Sequence, residues 1–179
     1  RSVTELQSLL VKHKVPVRTV LSGDVISIGK SCVARVLHPQ RPPNMGVRSD
    51  NENSIVLDVA VESKRMLLTG DIEGDALRAL LRSGLPRADI LIAPHHGSKT
   101  GLPREIASEV RPGLVVVSGS GGRDWPFVCQ NFHQGWTGLR AVLRTEGEQS
   151  SDRGAVSITM SDGTMSVRQF TPTGWRSVL

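Results

Sequence analysis

An aspartate and a pair of adjacent histidines stand where two apolar runs end. Asp71 follows Arg65 to Thr69 across Gly70, and His95-His96 follow Ile90 to Ala93 across Pro94. In open α/β sheets, side chains carried beyond different strand ends converge on one edge, where ligands bind. A carboxylate and imidazoles gathered there suit Zn, Mn or Fe. The carboxylate can bridge two ions, which would polarise a phosphoryl oxygen and activate water as nucleophile. Plainer readings stand beside this one. Asp71 at a strand-to-helix turn can be a helix cap, and a histidine at a strand end is often structural. Successive residues on a strand point to opposite faces. One histidine is therefore expected to bind metal while the other gives a hydrogen bond or a proton.

The next residues, Gly97-Ser98-Lys99-Thr100, invite a phosphate-loop reading that fails. That motif needs Gly directly before Lys, and Ser98 stands there. Ser98 and Lys99 can still meet a phosphate with the help of backbone amides, or merely turn the chain. The glycine-rich loop Ser118 to Gly122 is equally open. His38, before Pro39, reads as structural, and His13 and His133 as structural or surface residues.

The elements that must position these groups follow from periodicity. Residues 2–13 pattern as a helix, with Leu6, Leu9 and Leu10 at helical spacing. Short strands are expected over Val25 to Ile28 and Cys32 to Leu37. Residues 39–53, rich in Pro, Arg and Asn, read as a long loop, either at a functional edge or as a surface excursion. Ser54 to Val61 and Arg65 to Thr69 form a hairpin. Gly74 to Ser83 is a helix with Ala76, Leu77, Leu80 and Leu81 on one stripe. Ile90 to Ala93 is a buried strand, Pro103 to Val110 a helix, and Leu114 to Val117 another apolar strand. Phe127 to Leu143 is expected to be helical in its later part, against the cost of Gly135 and Gly138. Ala155 to Met160 and Met165 to Phe170 alternate about Asp162-Gly163 as a second hairpin. Strands alternating with helices, with antiparallel pairs among them, favour an α/β layered sheet.

The 179 residues suffice for one domain with a core and are too few for two ordinary ones. With 38% hydrophobic and 22% charged residues, the chain is globular rather than disordered. Its two cysteines, Cys32 and Cys129, exclude a disulfide-dense scaffold and a four-cysteine zinc knuckle. They could pair once. A formal charge of +5 is compatible with an anionic partner such as nucleic acid, although many basic domains bind none. No apolar run approaches the roughly 20 residues of a membrane-spanning helix. The chain opens at Arg1 with residues already in helical pattern, and it reads as a piece of a longer protein.

Three runs carry a resemblance: Asn51-Glu52-Asn53-Ser54-Ile55-Val56-Leu57, Leu67-Leu68-Thr69-Gly70-Asp71-Ile72-Glu73, and Ala93-Pro94-His95-His96-Gly97-Ser98-Lys99-Thr100. Together with Arg18 to Gly29, Val36-Leu37-His38-Pro39 and Gly154 to Ile158, they resemble the metallo-β-lactamase-fold domain of ComEC-type DNA-uptake (competence) proteins. The resemblance runs from about residue 15 to 160. It implies an αββα sandwich with a dinuclear Zn or Mn site at one edge of two packed sheets. Asp71 would be the bridging ligand and His95 the late histidine ligand, with His96 the close alternative. As a catalytic group, His96 would assist Asp71, and Ser98 and Lys99 would contact the DNA phosphate. It further implies a phosphodiesterase or nuclease domain on the outer face of an inner-membrane channel for single-stranded DNA, degrading the strand that is not transported. The alternative within the same family is a catalytically degenerate module that binds DNA or braces the channel.

Two features set this chain apart from the family pattern. The H-x-[HD]-x-D-H metal motif is expected upstream of Arg1, so residues 1–179 are expected to be the C-terminal portion of the domain. Half a sandwich would leave an inner face apolar and exposed. Where relatives often carry Gly-His-Pro, this chain reads Asp124-Trp125-Pro126.

Overall fold

The computed structural model describes residues 3–40, 49–119, 125–146 and 154–179. Within them, helix α1 (Val3–Lys12) leads to strands β1 (Val25–Ile28), β2 (Cys32–His38), β3 (Val56–Val61) and β4 (Lys64–Leu68), which pair antiparallel in chain order. From β4 onward the chain crosses over. Helix α2 (Gly74–Ser83) leads to β5 (Ile90–Ile92), α3 (Pro103–Val110) to β6 (Leu114–Val117), and α4 (Trp125–Gly135) to β7 (Ala141–Arg144). Strands β4 to β7 are parallel neighbours, and the seven-stranded order is the chain order.

That order has a geometric consequence. Crossovers between parallel strands are right-handed. Three of them stepping in one direction place α2, α3 and α4 on the same face. The other face is left for a second layer, and a three-stranded sheet fills it: β8 (Val156–Ser161), β9 (Thr164–Thr171) and β10 (Gly174–Ser177).

Period-two alternation builds both interfaces. Leu67, Leu91, Val115 and Val117 pack on the helical side, with Leu77, Leu80, Ile106, Val110, Val128 and Phe132. Ile90, Leu114 and Val116 face the other way, with Met66, Ile92, Ala141 and Leu143 beside them, and meet Val167, Val156 and Ile158 of the small sheet. The molecule is thus a mixed α/β structure in which one sheet is covered by helices on one side and by a small sheet on the other. Among the described residues, no helix is long and apolar enough to cross a membrane. Cys32 and Cys129 do not pair.

The helix expected in the later part of Phe127–Leu143 is displaced. Residues 125–135 are helical, and Ala141–Arg144 is a strand. Gly135 ends the helix where α4 meets α3. A Cβ there would lie 2.2 Å from the Arg104 carbonyl oxygen, so only glycine allows the approach. The β-run Ala141-Val142-Leu143 then pairs with β6. Strand β10, pairing with β9, was not legible in the sequence.

Leu6 and Leu9 of α1 stay exposed, as do Val25, Ile28 and Val33 on β1 and β2. The core is deepest under α4. Phe132 is fully buried, and Phe132→Ala is expected to cost about 3–5 kcal/mol of unfolding free energy in urea titration. A loss below about 1 kcal/mol would show that α4 is not packed as described.

Candidate functional site

The parallel half of the sheet brings its C-terminal ends to one edge, and the turns beyond β4, β5 and β6 meet there. The turn after β4 is pinned first. Thr69, buried, donates its hydroxyl to the Ile92 carbonyl at 2.6 Å, and the His95 amide donates to the Gly70 carbonyl at 3.2 Å. The Asp71 amide donates to Ser54 Oγ at 3.2 Å. Helix α2 begins with Glu73 at its N-cap position, so Asp71 is not the helix cap.

The histidines do not lie on a strand. Strand β5 ends at Ile92, and Pro94–Gly97 form a short 3-10 turn in which His95 (φ 45°, ψ 48°) and His96 (φ 55°, ψ 28°) are both left-handed. Two consecutive non-glycine residues in that region are strained, by about 1–3 kcal/mol each, and persist only where surrounding contacts hold them. The two rings point to different partners, and the turn rather than strand pleating parts them. Gly97 completes the turn. A Cβ there would lie 3.1 Å from Val128 Cγ1, so the histidine turn sits directly on α4.

His96 Nδ1 lies 2.6 Å from the Ser118 carbonyl oxygen, which can only accept. This bond places a proton on Nδ1, so Nε2 is the nitrogen that a neutral ring would offer to a ligand. Nε2 lies 3.4 Å from Asp71 Oδ1, and both side chains are about half exposed. A ring nitrogen beside a carboxylate, with the other nitrogen donating to a backbone carbonyl, is the usual arrangement of a metal-binding histidine.

His95 is engaged elsewhere. Its Nδ1 lies 2.8 Å from Glu73 Oε2 and 2.9 Å from Thr100 Oγ1. Glu73 also accepts from Asn51 Nδ2 at 2.9 Å, and Ser98 Oγ lies 2.8 Å from Thr100 Oγ1. Hydrogen bonds from Asn51 and Thr100 hold the Glu73 carboxyl below the ordinary carboxylate range, against burial and with help from His95. Asp71 is therefore grouped with His96, whereas His95 belongs to a separate network with Glu73, Asn51 and Thr100. Ser98 supports that network, and Lys99 lies with its ammonium 5.0 Å from the centre of the Phe127 ring.

Glu73 and Asn51 were not singled out from spacing. Nothing in its spacing marks Glu73, which lies in the turn between β4 and α2. Nothing local marks Asn51, which meets Glu73 from 22 residues away. It lies in a 3-10 turn, Asp50–Asn53, at the end of the loop expected over 39–53; residues 41–48 fall outside the described residues. His38 is buried, with Nδ1 2.9 Å from the Ser54 carbonyl, a structural role. Ser118 and Gly119 of the glycine-rich loop are described, while 120–122 and Asp124 lie outside the described residues. Trp125 opens α4 with the Arg144 guanidinium 4.6 Å from its ring centre.

Among the described residues, no three His, Cys, Asp or Glu side chains come together in a group able to hold a metal ion. Asp71 and His96 supply two donors, fewer than the three or four of a zinc site.

The chain is similar to Recombination protein 2 of Haemophilus influenzae, 36% identical over 97 residues, which cover 52% of this chain and 12% of that protein. It is also similar to ComE operon protein 3 of Bacillus subtilis, 31% identical over 106 residues, covering 58% of this chain and 13% of that protein. The chain thus spans about an eighth of the length of these relatives. No protein-family model matches it.

The Glu73 network has a pH signature. A carboxyl whose folded pKa is depressed adds stability that is present above its unfolded pKa and lost as pH falls through the folded value. The wild-type chain should therefore exceed Glu73→Gln in urea midpoint above the ordinary glutamate pKa of about 4.3. The difference should shrink as pH falls below it. A difference that does not change with pH would show that Glu73 is not held ionised by this network.

Proposed function

We propose that this chain carries one side of a dinuclear metal centre, in a phosphodiester hydrolase that acts on DNA during uptake. The observation that carries the reading is the Asp71–His96 pair: Nε2 and Oδ1 lie side by side at a strand-end edge, with the imidazole fixed from behind by Ser118. The names of the two relatives, one a recombination protein and the other a ComE operon product, agree with DNA handling in competence. So do the basic charge and the resemblance of residues 51–100 to the metallo-β-lactamase-fold domain of ComEC-type proteins.

In this reading the helical layer, the main sheet and the small sheet are part of an αββα sandwich. The H-x-[HD]-x-D-H motif, upstream in the whole protein, completes the ligand set. Zn or Mn, when bound, supplies Lewis-acid polarisation of the phosphoryl group and activates water. The chain's own residues do the rest. Asp71 would be the bridging ligand, and His96 would ligate through Nε2. His95, held by Glu73, Asn51 and Thr100, sets the wall of the site, and Lys99 meets the DNA phosphate. The chain belongs to an extracytoplasmic part of a membrane channel protein, with the remainder of that protein as its partner.

A second reading has one observation in its favour. Trp125 stands where the family resemblance leads one to expect a histidine, and its ring is stacked on Arg144. A site short of that histidine fits a degenerate module that binds DNA or braces the channel.

Cleavage separates the two. In the full-length protein, Asp71→Ala and His96→Ala should each lower divalent-cation-dependent DNA cleavage by more than about a hundredfold. Asp71→Ala should keep its folding stability within about 0.5 kcal/mol, because its half-exposed side chain carries little packing, whereas His96→Ala also removes the bond to Ser118 that anchors the turn. Normal cleavage by Asp71→Ala would remove the bridging role, and a wild-type protein that cleaves nothing with any divalent cation would favour the second reading. Calorimetric titration of residues 1–179 alone should show weak Zn or Mn binding. Two tight sites would contradict the half-site.

A further inference from the structure

The turn that carries Asp71 and Glu73 leans on a second turn, residues 51–54, which comes from a distant part of the chain. The contacts follow one another along it. Ser54 Oγ accepts the Asp71 amide at 3.2 Å, and a Cβ on Gly70 would lie 3.3 Å from Ser54 Cβ. Asn51 Nδ2 donates to Glu73 Oε1 at 2.9 Å. A Cβ on Gly74, the first residue of α2, would lie 2.9 Å from Oε1 of the buried Glu52. Residues 70–74 are thus held from one side by the side chains of three residues in a stretch of four.

Such a support works only if it is itself fixed. The 3-10 turn Asp50–Asn53 is short, closed by the Glu52 amide on Ser49 at 3.1 Å and the Ser54 amide on Asn51 at 3.0 Å. A single turn of this kind has little stability of its own. His38 supplies an anchor. Where β2 meets β3, Val36 pairs with Leu57 but His38 with Val56, so Leu37 is an extra residue and the strand is bulged. Bulges bend a strand and re-aim its side chains. Beyond this one, the His38 ring is 7% exposed, with Nδ1 2.9 Å from the Ser54 carbonyl. A carbonyl only accepts, so Nδ1 donates. A buried imidazole is costly unless it is bonded. Here its bond fixes the main chain of the residue whose hydroxyl holds Asp71.

We propose that residues 51–54, anchored by His38, are a clamp that positions Asp71 at the strand-end edge, with Ser54 as the positioning residue. The proposal rests on the hydrolase reading for the metal that Asp71 would meet, but the clamp is a property of the metal-free chain. Ser54 acts through the Asp71 amide and His38 acts through Ser54. Together they keep the Asp71 carboxylate beside His96 Nε2, 3.4 Å away.

Hydrogen–deuterium exchange of the full-length protein in EDTA, resolved to single amides, tests the clamp. Ser54→Ala and His38→Phe should each speed exchange of the Asp71 amide by about tenfold. Ser54→Thr keeps the hydroxyl, and His38→Asn offers a side-chain amide in place of Nδ1; both should exchange near the wild-type rate. The Leu91 amide in β5 should stay protected in all four, which separates loss of the clamp from loss of the fold. Ser54→Ala carries the test should His38→Phe not fold. Calorimetric titration of the full-length protein with zinc tests the positioning. Ser54→Ala should weaken binding by about tenfold at unchanged stoichiometry, and Ser54→Thr should restore it. A merely structural loss would lower the number of sites and leave the affinity alone. Unchanged Asp71 exchange in Ser54→Ala would overturn the clamp, and faster exchange with wild-type zinc affinity would overturn its part in positioning Asp71. A wild-type protein that binds no zinc and cleaves no DNA would defeat the hydrolase reading, and the exchange result would then decide the clamp on its own.

Discussion

Everything at the strand-end edge depends on a strained turn. His95 and His96 both occupy left-handed backbone, which costs residues with a Cβ about 1–3 kcal/mol each. The turn is held from three directions. The His95 amide is bonded to Gly70 of the preceding strand end, His96 Nδ1 is bonded to Ser118 of the following one, and Gly97 is seated against Val117 and Val128. The same bonds that hold the strain also aim the rings. The His96 bond to Ser118 frees Nε2 toward Asp71, and the left-handed step before it sends the His95 ring to Glu73. Without those anchors the two imidazoles would have no reason to part.

The sheet explains why such anchors are available. A single direction of crossover sets β4, β5 and β6 side by side in chain order, so that the turns after each are neighbours. Their apolar residues are divided by strand alternation between the helical layer and the small sheet. Leu67, Leu91 and Val117 are buried at or beside the strand ends, Leu68 and Ile92 are part-buried, and the turns emerge beyond them. Thr69, almost fully buried and bonded to the Ile92 carbonyl, marks that boundary. By contrast, β1, β2 and α1 leave Leu6, Leu9, Val25 and Val33 exposed, which places the firmest part of the molecule under the candidate site.

Much of this was legible in the residues, and the reasons differ by element. Helices α2 and α3 were readable to their bounds because their apolar stripes are clean and Gly84 and Pro103 punctuate them. The β8–β9 hairpin was readable from alternation about Asp162-Gly163, both of which take positive φ as a tight hairpin requires. Residues 125–144 misled, because an aromatic stretch and two glycines do not reveal whether Gly135 ends a helix or interrupts one. The contact with Arg104 that decides it is tertiary. At the site, Asp71, His95 and His96 were identifiable by type and by strand-end position. Their partition was not, since it follows from backbone angles that no local propensity favours. Glu73 sits in a turn with no periodicity to mark it, and Asn51 reaches the site through a long connection whose path spacing does not encode.

His96 is paired with Asp71 and His95 with Glu73, so a metal at this edge is proposed to be met by His96 through Nε2. A long-range nitrogen–proton correlation spectrum of the zinc-loaded full-length protein reads each ring separately. The account predicts His96 protonated at Nδ1 with Nε2 metal-bound, and His95 without a bound metal. Metal on His95, with His96 unchanged on adding zinc, would contradict it.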